Sequence, residues 1–498
     1  MRGNCRTSGE QRRREAGNVF GLGSRTPISI TLLVKNPAVR RTKASIYYKD
    51  IGDYLGKDDK LKKLRELGSI LNPAMELSSI SPNEAYDWIN QRDSMFETLI
   101  AIEPDKKYDV DSKSMFVTHS RGLETSRDPL AYNSSPDVLA QNAQNMISQY
   151  NQQRLEYREA VNQNPLLKVE EFVHDDSSKI IWTRGTKNNL LRNVEYSYAQ
   201  SNIRAALYRP FFKQHVYLSR QFNEYVNQWD NFFPTPQSKN LVICVSGIGV
   251  RKECPALIVN MIADLELIGK SQCFPLYYYD KIEQNQISLF DQSEEEYIRR
   301  DGISDFILER VRKCNPKITK EDIFFYIYGI LHSKSYRKRF SADLKKMLPH
   351  IPIVEMYIDF NAFCKAGRQL AELHLNYEQG KLYDGVMVTG EETGNFKVEK
   401  MRFISKEDKR TIIYNSNIRI ENIPLAAYTY VVNGKSAIEW IMERYQVTRH
   451  PDSQIINDPN RWTPENPKYI LELLLRVIQM SLDTMKIVAK LPELKFES

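Results

Sequence analysis

No stretch of the 498-residue sequence approaches the roughly 18–20 apolar residues that a membrane-crossing helix needs, and the most apolar run, 323–331, is too short. The basic N-terminus, MRGNCRTSGEQRRREAG, is not followed by an apolar core, which excludes a secretory signal. The six cysteines (Cys5, Cys244, Cys254, Cys273, Cys314 and Cys364) form neither Cys-x-x-Cys nor a Cys/His metal spacing. Free thiols in a reducing cytoplasm are the expectation. Also absent are a Walker A loop, G-x-G-x-x-G, H-E-x-x-H and G-x-S-x-G. Gly247-Ile248-Gly249 follows an apolar strand as a phosphate loop does, but it lacks the third glycine and the Lys-Ser/Thr. These absences favour a binding module over a complete enzyme.

The composition is that of a globular protein, 41% hydrophobic and 27% charged, with length for two to four domains. The net charge of +7 is concentrated near the start: residues 1–48 carry ten basic and two acidic side chains, and the remainder is close to neutral. A nucleic-acid face beyond residue 48 is therefore a local patch and not a global field.

Along the chain, PISITLLV (27–34) and ASIYY (44–48) predict a hairpin of adjacent strands. A helix capped by Asp58 or Asp59 ends at Gly68. Trp88 and Phe96 are expected in the core. Ser134 or Ser135 before Pro136 opens a long helix that Pro165 ends. Strands are predicted at 241–245, 264–267 and 272–279, with an exposed acidic insertion at 280–301. Thr319 caps a helix over EDIFFYIYGILHS, a basic helix spans 335–348, and another spans 360–378. His332 and His374, inside these helices, read as satisfied core residues. Strands at 383–433 precede two C-terminal helices.

Three clusters combine cations with aromatic or hydroxyl residues. The loop 121–128, RGLETSRD, offers Arg121 and Arg127 beside Ser and Thr; it reads either as a phosphate-holding loop or as a solvated connector. Trp182, Arg184, Lys187 and Arg192 surround Gly185. In NIRAALYRPFFKQHVYLSRQFN (202–223) a helix-like run stops at Pro210. A strand follows, with Lys213, His215, Tyr217 and Ser219 on one face and Phe212, Val216 and Leu218 on or near the other. That face reads as a polyanion contact or as an ordinary half-buried strand. Arg337, Lys338 and Arg339 make a further basic patch.

Several of these segments, in this order, resemble the C-terminal half of type ISP restriction-modification enzymes and their helicase-like relatives. They are IYYKDIGDYL (46–55), PNEAYDWINQRD (82–93), SRGLETSRD (120–128), YRPFFKQHVY (208–217), FPLYYY (274–279), EDIFFYIYGILHSKSYRKRF (321–340), LPHIP (348–352) and LAELHLNYE (370–378). Members of that family join a nuclease, a DNA translocase, an adenine-N6 DNA methyltransferase and a C-terminal target-recognition domain.

The resemblance implies a mixed α/β (α+β) fold. A remnant C-terminal hairpin of a Rossmann-like methyltransferase sheet at 1–60 would be followed by a connector with the long helix at 61–165. The specificity-domain core would lie at 166–380, and a strand and helix extension at 381–498. It implies double-stranded DNA as partner and the cytoplasm as location. No Asn-Pro pair is followed by a second Pro and an aromatic, so S-adenosylmethionine is expected only with an upstream methyltransferase/helicase-nuclease portion, and catalysis is not expected of this chain alone. The alternative is a split adenine-N6 methyltransferase completed by such a chain. The candidate DNA contacts are Arg209, Lys213, Tyr217 and Arg220, with Arg184, Lys187, Arg121 and Arg127 as backbone clamps and Arg337, Lys338 and Arg339 as a further patch. The likeness itself assigns no side chain to a base.

Overall fold

The run LVICV has no polar position to turn toward water, and the fold buries both of its faces. The computed structural model describes all residues except 1–2, 6–8, 21–23, 39–43, 175, 251–254, 283–295, 406–407 and 497–498, and the side chains of 9–11. In it, Val242–Val245 is an inner strand of a four-stranded antiparallel sheet, ordered Ser120–Arg121, Gln272–Pro275, Val242–Val245, Ala256–Val259. Successive side chains of a strand point to opposite faces. Val242, Cys244, Leu257, Val259 and Cys273 therefore enter one core, and Ile243, Val245, Ala256, Ile258 and Phe274 enter a second. The sheet is the wall between two hydrophobic cores.

The second core is built on the helices Lys320–His332 and Tyr357–Leu375. Thr319 caps the first, its hydroxyl accepting from the Asp322 N–H while the Asp322 carboxylate accepts from the Thr319 N–H. From Ile323 to His332 every residue is buried, as in a helix packed on all sides. The two helices approach through glycine: a Cβ on Gly367 would lie 1.9 Å from the Phe325 carbonyl oxygen, and one on Gly329 2.3 Å from that of Phe363.

The first core takes one face of the long helix Pro136–Gln163, whose Ser135 cap and Pro136 first turn are as the sequence predicts. Against it lies a second four-stranded sheet, ordered Ile262–Ala263, Ile203–Arg209, Phe212–Tyr217, Tyr132–Asn133. The C-terminal helices Ala437–Arg444 and Tyr469–Ala489 join the same core, as does the small sheet Met387–Thr389, Arg419–Glu421, Ile412–Ile413, Arg402–Phe403. The result is a mixed α/β fold of several small sheets, the class expected.

Several local expectations are corrected. The run before Pro210 is a strand, not a helix: Ile203–Arg209 pairs antiparallel with Phe212–Tyr217, and Pro210 with Phe211 (φ 59°) forms the turn. Residues 27–34 form no strand; Ile30, Leu32, Leu33 and Val34 are exposed, and Ile46–Tyr48 pairs instead with Ser78–Ile80, so the expected N-terminal hairpin is not made. Trp88 is about half exposed, whereas Phe96 is fully buried. Strand Ile262–Ala263 replaces the one expected at 264–267, and Ala256–Val259 was not anticipated. The basic helix is two short pieces, Lys334–Arg339 and Asp343–Lys345. Most of the acidic insertion, 283–295, lies outside the described residues; its flanks pair as Tyr277–Lys281 with Tyr297–Asp301. No described helix is long and apolar enough to cross a membrane.

Candidate nucleic-acid interface

The loops 121–128 and 219–229 and the helix Arg184–Leu191 are far apart in sequence, and backbone hydrogen bonds bring them together. Glu124 and Tyr225 exchange both N–H···O bonds, at 3.0 and 2.9 Å. Asn227 Nδ2 donates to the Gly122 carbonyl (2.9 Å) and Trp229 Nε1 to that of Arg121 (3.1 Å). The Glu224 carboxylate accepts from the Gly185 N–H (3.1 Å), which ties the helix start to the same loop.

Beneath them lies Arg127, 2% exposed, whose guanidinium donates to the Phe222 carbonyl (2.6 Å) and to Thr183 Oγ1 (2.7 Å). Burial pulls its pKa down to about 10. Arg127 is thus a strut between three segments, which corrects its reading as a phosphate clamp. The first half of the loop 121–128 has its backbone donors already used, Gly122 N–H to Ser271, Leu123 N–H to Ala263 and Glu124 N–H to Tyr225, which argues against its reading as a phosphate-holding loop. Thr125 Oγ1 is taken by Asp128.

What these segments leave outside is cationic. Arg121 is exposed and holds Glu124 at 3.3 Å. Arg220 is exposed, with Nε 2.7 Å from Asp230. Arg184 and half-buried Lys187 are one helical turn apart, on the same side of their helix, and no ion pair among the described residues occupies them. The ring of Tyr225, which the sequence reading missed, is 47% exposed beside the Arg121–Glu124 pair. It sat outside any basic run, so only its pairing with Glu124 reveals it.

The hairpin faces inward. Tyr217 is fully buried; its hydroxyl accepts from the Ala199 N–H (3.0 Å), and its ring stacks on Tyr198. Its reading as a DNA contact is corrected, since no atom of it is open to a partner. Arg209 is 13% exposed and donates to Asp264 Oδ1 at 2.6 Å while its guanidinium lies 3.9 Å over the Tyr208 ring. Lys213 donates to Glu378 Oε2 at 2.6 Å, and the other oxygen of Glu378 accepts from Tyr469. Both cations are committed to interior carboxylates, which corrects their reading as exposed contacts. Burial pushes the Asp264 carboxyl up to about 7 against the opposing pull of Arg209.

The third patch is elsewhere. Arg339 donates to Asp93 (2.7 Å) and its guanidinium lies over Phe496, whereas Arg337 donates through Nε to the Leu331 carbonyl (2.6 Å) and Lys338 is exposed. Gly247-Ile248-Gly249 does not fit a phosphate or methyl-donor cradle: a Cβ on Gly247 would lie 2.3 Å from the Lys270 carbonyl oxygen, and its N–H is bonded to Gly269. His332 and His374 are buried, as expected; His374 is hydrogen-bonded through both nitrogens, whereas His332 is bonded only through Nδ1, which corrects its reading as fully satisfied. No metal-holding group of His, Cys, Asp and Glu occurs among the described residues.

Comparison with known proteins supplies the context. Residues 114–473 match the Type ISP C-terminal specificity domain. All of the chain superposes on part of a nuclease-deletion mutant of the Type ISP restriction-modification enzyme LlaGI in complex with a DNA substrate mimic, at 37% identity and a TM-score of 0.83, covering 43% of that chain. It also superposes on the ATP-dependent Type ISP restriction-modification enzyme LlaBIII bound to DNA (34%, 0.84, covering 30% of that chain). A third likeness is to the DrdV–DNA complex (26%, 0.80, covering 47%). No curated protein sequence matches the chain. It spans less than half the length of each of these solved proteins. With the specificity-domain match running through most of its length, the chain belongs to the Type ISP C-terminal specificity-domain family.

Proposed function

We propose that the chain is the DNA target-recognition module of a type ISP-like restriction-modification enzyme. The observation that carries this reading is the specificity-domain match over residues 114–473; the solved neighbours are themselves DNA complexes. Duplex DNA lies on the face formed by Arg121, Arg184, Lys187, Arg220 and Tyr225. Arginine and lysine neutralise phosphates and set the register, and arginine is also suited to bidentate contact with guanine in the major groove. Arg127, Arg209 and Lys213 act indirectly by holding the face in shape. The work is cytoplasmic, where the DNA is.

The methyl-donor and Asn-Pro-Pro-Tyr motifs are supplied by an upstream methyltransferase/helicase-nuclease portion or chain. The exposed apolar run at Ile30, Leu32, Leu33 and Val34 supports such a partner, because contiguous exposed apolar surface marks interaction sites. No catalytic step is assigned to this chain.

Fluorescence anisotropy with random and genomic duplexes over a salt series tests the reading. Binding that weakens with salt and prefers a sequence supports it. Failure to bind any duplex below about micromolar at low salt overturns it.

A further inference from the structure

The basic helix Lys334–Arg339 does not lie flat against solvent: with the C-terminal helix and residues 429–431 it encloses a cavity of about 450 Å³. Its rim carries Lys334, Arg337, Lys338 and Lys345, and no carboxylate lines it. Lys334 and Lys338 are one helical turn apart, so like charges face one another at some cost to the helix. Among the described residues none of these four cations is in an ion pair, in contrast to Arg339 next to them, which holds Asp93. The far wall is apolar, from Leu344, Val431, Met485 and Val488.

Two buried polar groups also line the cavity. His332 is 4% exposed and Tyr430 is 5% exposed, yet among the described residues neither His332 Nε2 nor the Tyr430 hydroxyl has a hydrogen-bond partner. His332 Nδ1 lies 2.8 Å from the Tyr328 carbonyl, an acceptor only, so Nδ1 carries the proton and Nε2 presents a lone pair. Burial and the neighbouring Arg337 keep this imidazole neutral. The Tyr430 ring is stacked on His374, which spends both of its own nitrogens on Tyr328 and Thr484. Buried polar atoms in a folded protein ordinarily have partners; these two have almost no accessible surface, so the chemistry the cavity presents is its four cations, none of them in an ion pair among the described residues.

We propose that this cavity binds a small phosphorylated ligand of mononucleotide size, with its phosphates on Lys334, Arg337, Lys338 and Lys345 and its ring on the apolar wall. The volume lies in the range of small-molecule sites, which join apolar walls to a few placed polar groups. His332 and Tyr430 contribute to the cavity's wall. A DNA strand is a poorer fit, because a concave pocket takes one or two phosphates and a strand needs an open track. The inference is independent of the face assigned to DNA.

Isothermal titration calorimetry on the full chain with AMP, ADP, inorganic phosphate and a short duplex tests it. ADP is expected to bind more tightly than phosphate. The double variant Lys334→Ala/Lys338→Ala is expected to lose about tenfold or more in ADP affinity with an unchanged melting temperature and unchanged duplex affinity. Lys345→Ala removes a third rim cation, so it should lower ADP affinity without lowering stability. The proposal is overturned by the absence of ADP binding up to about millimolar, by affinity unchanged in these variants, or by ADP and duplex competing with both weakened alike, which would make the pocket part of a nucleic-acid track.

Discussion

The hairpin Ile203–Tyr217 and the loop 219–229 that follows it have similar side-chain chemistry and opposite uses. Arg209 and Lys213 in the hairpin are turned inward onto Asp264 and Glu378. Arg220 in the loop is exposed, paired to Asp230 near the surface, and donates to the Asn227 carbonyl of the same loop. The difference is made by distant residues: Asp264 and Glu378 arrive from elsewhere in the chain and complete the hairpin cations, and among the described residues no such partner reaches Arg184 or Lys187. A cation is open to a polyanion where it stands at the surface, as Arg121 and Arg220 do even with a carboxylate beside them, and closed to it where burial holds both partners inside, as with Arg209 and Asp264.

The contrast breaks most visibly at Arg209. Arg209→Ala leaves the Asp264 carboxylate buried without its partner, and an urea unfolding curve should show a loss of about 3–5 kcal/mol. The loss should also depend on pH. Without the arginine's pull, the folded pKa of Asp264 rises further above its unfolded value. Its contribution is then fully present below the unfolded pKa and is lost as pH rises through the folded one, so the variant should weaken from pH 6 to 9 more steeply than the parent. Asp264→Asn added to Arg209→Ala should remove that pH dependence.

A smaller effect is expected at the strut. Arg127→Met orphans the Phe222 carbonyl and removes one of the partners of the Thr183 hydroxyl, and should cost about 1–3 kcal/mol. It should reduce DNA affinity through a loosened face with no change in the number of ions released. Arg184→Ala and Arg220→Ala invert the pattern: stability within about 0.5 kcal/mol of the parent, but weaker DNA binding, with the salt slope reduced by about one for each phosphate contact removed. If either change left the slope intact, the division between the two regions would fail on its outer side.

The interior histidines extend the comparison at acid pH. Burial holds His374 down to about 3 and His119 to about 4, and lowers His332, so all three are neutral in the fold. The unfolded chain binds protons that the folded chain refuses, so stability should fall as pH drops below about 6.5, each such histidine steepening the unfolding constant by up to tenfold per pH unit. His374→Gln should flatten this acid limb in a pH series of thermal melts.

How far the sequence disclosed this depends on whether the cause was local. Thr319 with Asp322, and Ser135 before Pro136, are caps written within four residues, and both were legible. LVICV was legible as a hydrophobic strand, and the structure buries it on both faces. The resemblance motifs led to the family and the mixed fold class. Tyr217 was misread because period-2 alternation distinguishes two faces but cannot reveal that both are covered; its partners Ala199 and Tyr198 come from the preceding segment. Ile203–Arg209 was misread because Ala-Ala-Leu favours a helix locally, and pairing with Phe212–Tyr217 overrides that preference. The exposed cations Arg121, Arg184 and Arg220 were named from charge alone, and so were Arg127 and Arg209, because charge patterning does not register depth.

The long helix begins at a junction closed from far along the chain: Asn133 Nδ2 donates to the Ile456 carbonyl, and the Ser134 N–H to Asn457 Oδ1, each across 323 residues. During synthesis at roughly 5–20 residues per second, residue 134 waits on the order of 15–60 s for that partner to be made. Over this interval that end of the helix lacks two of its native hydrogen bonds, so the junction closes only after residue 457 has been made.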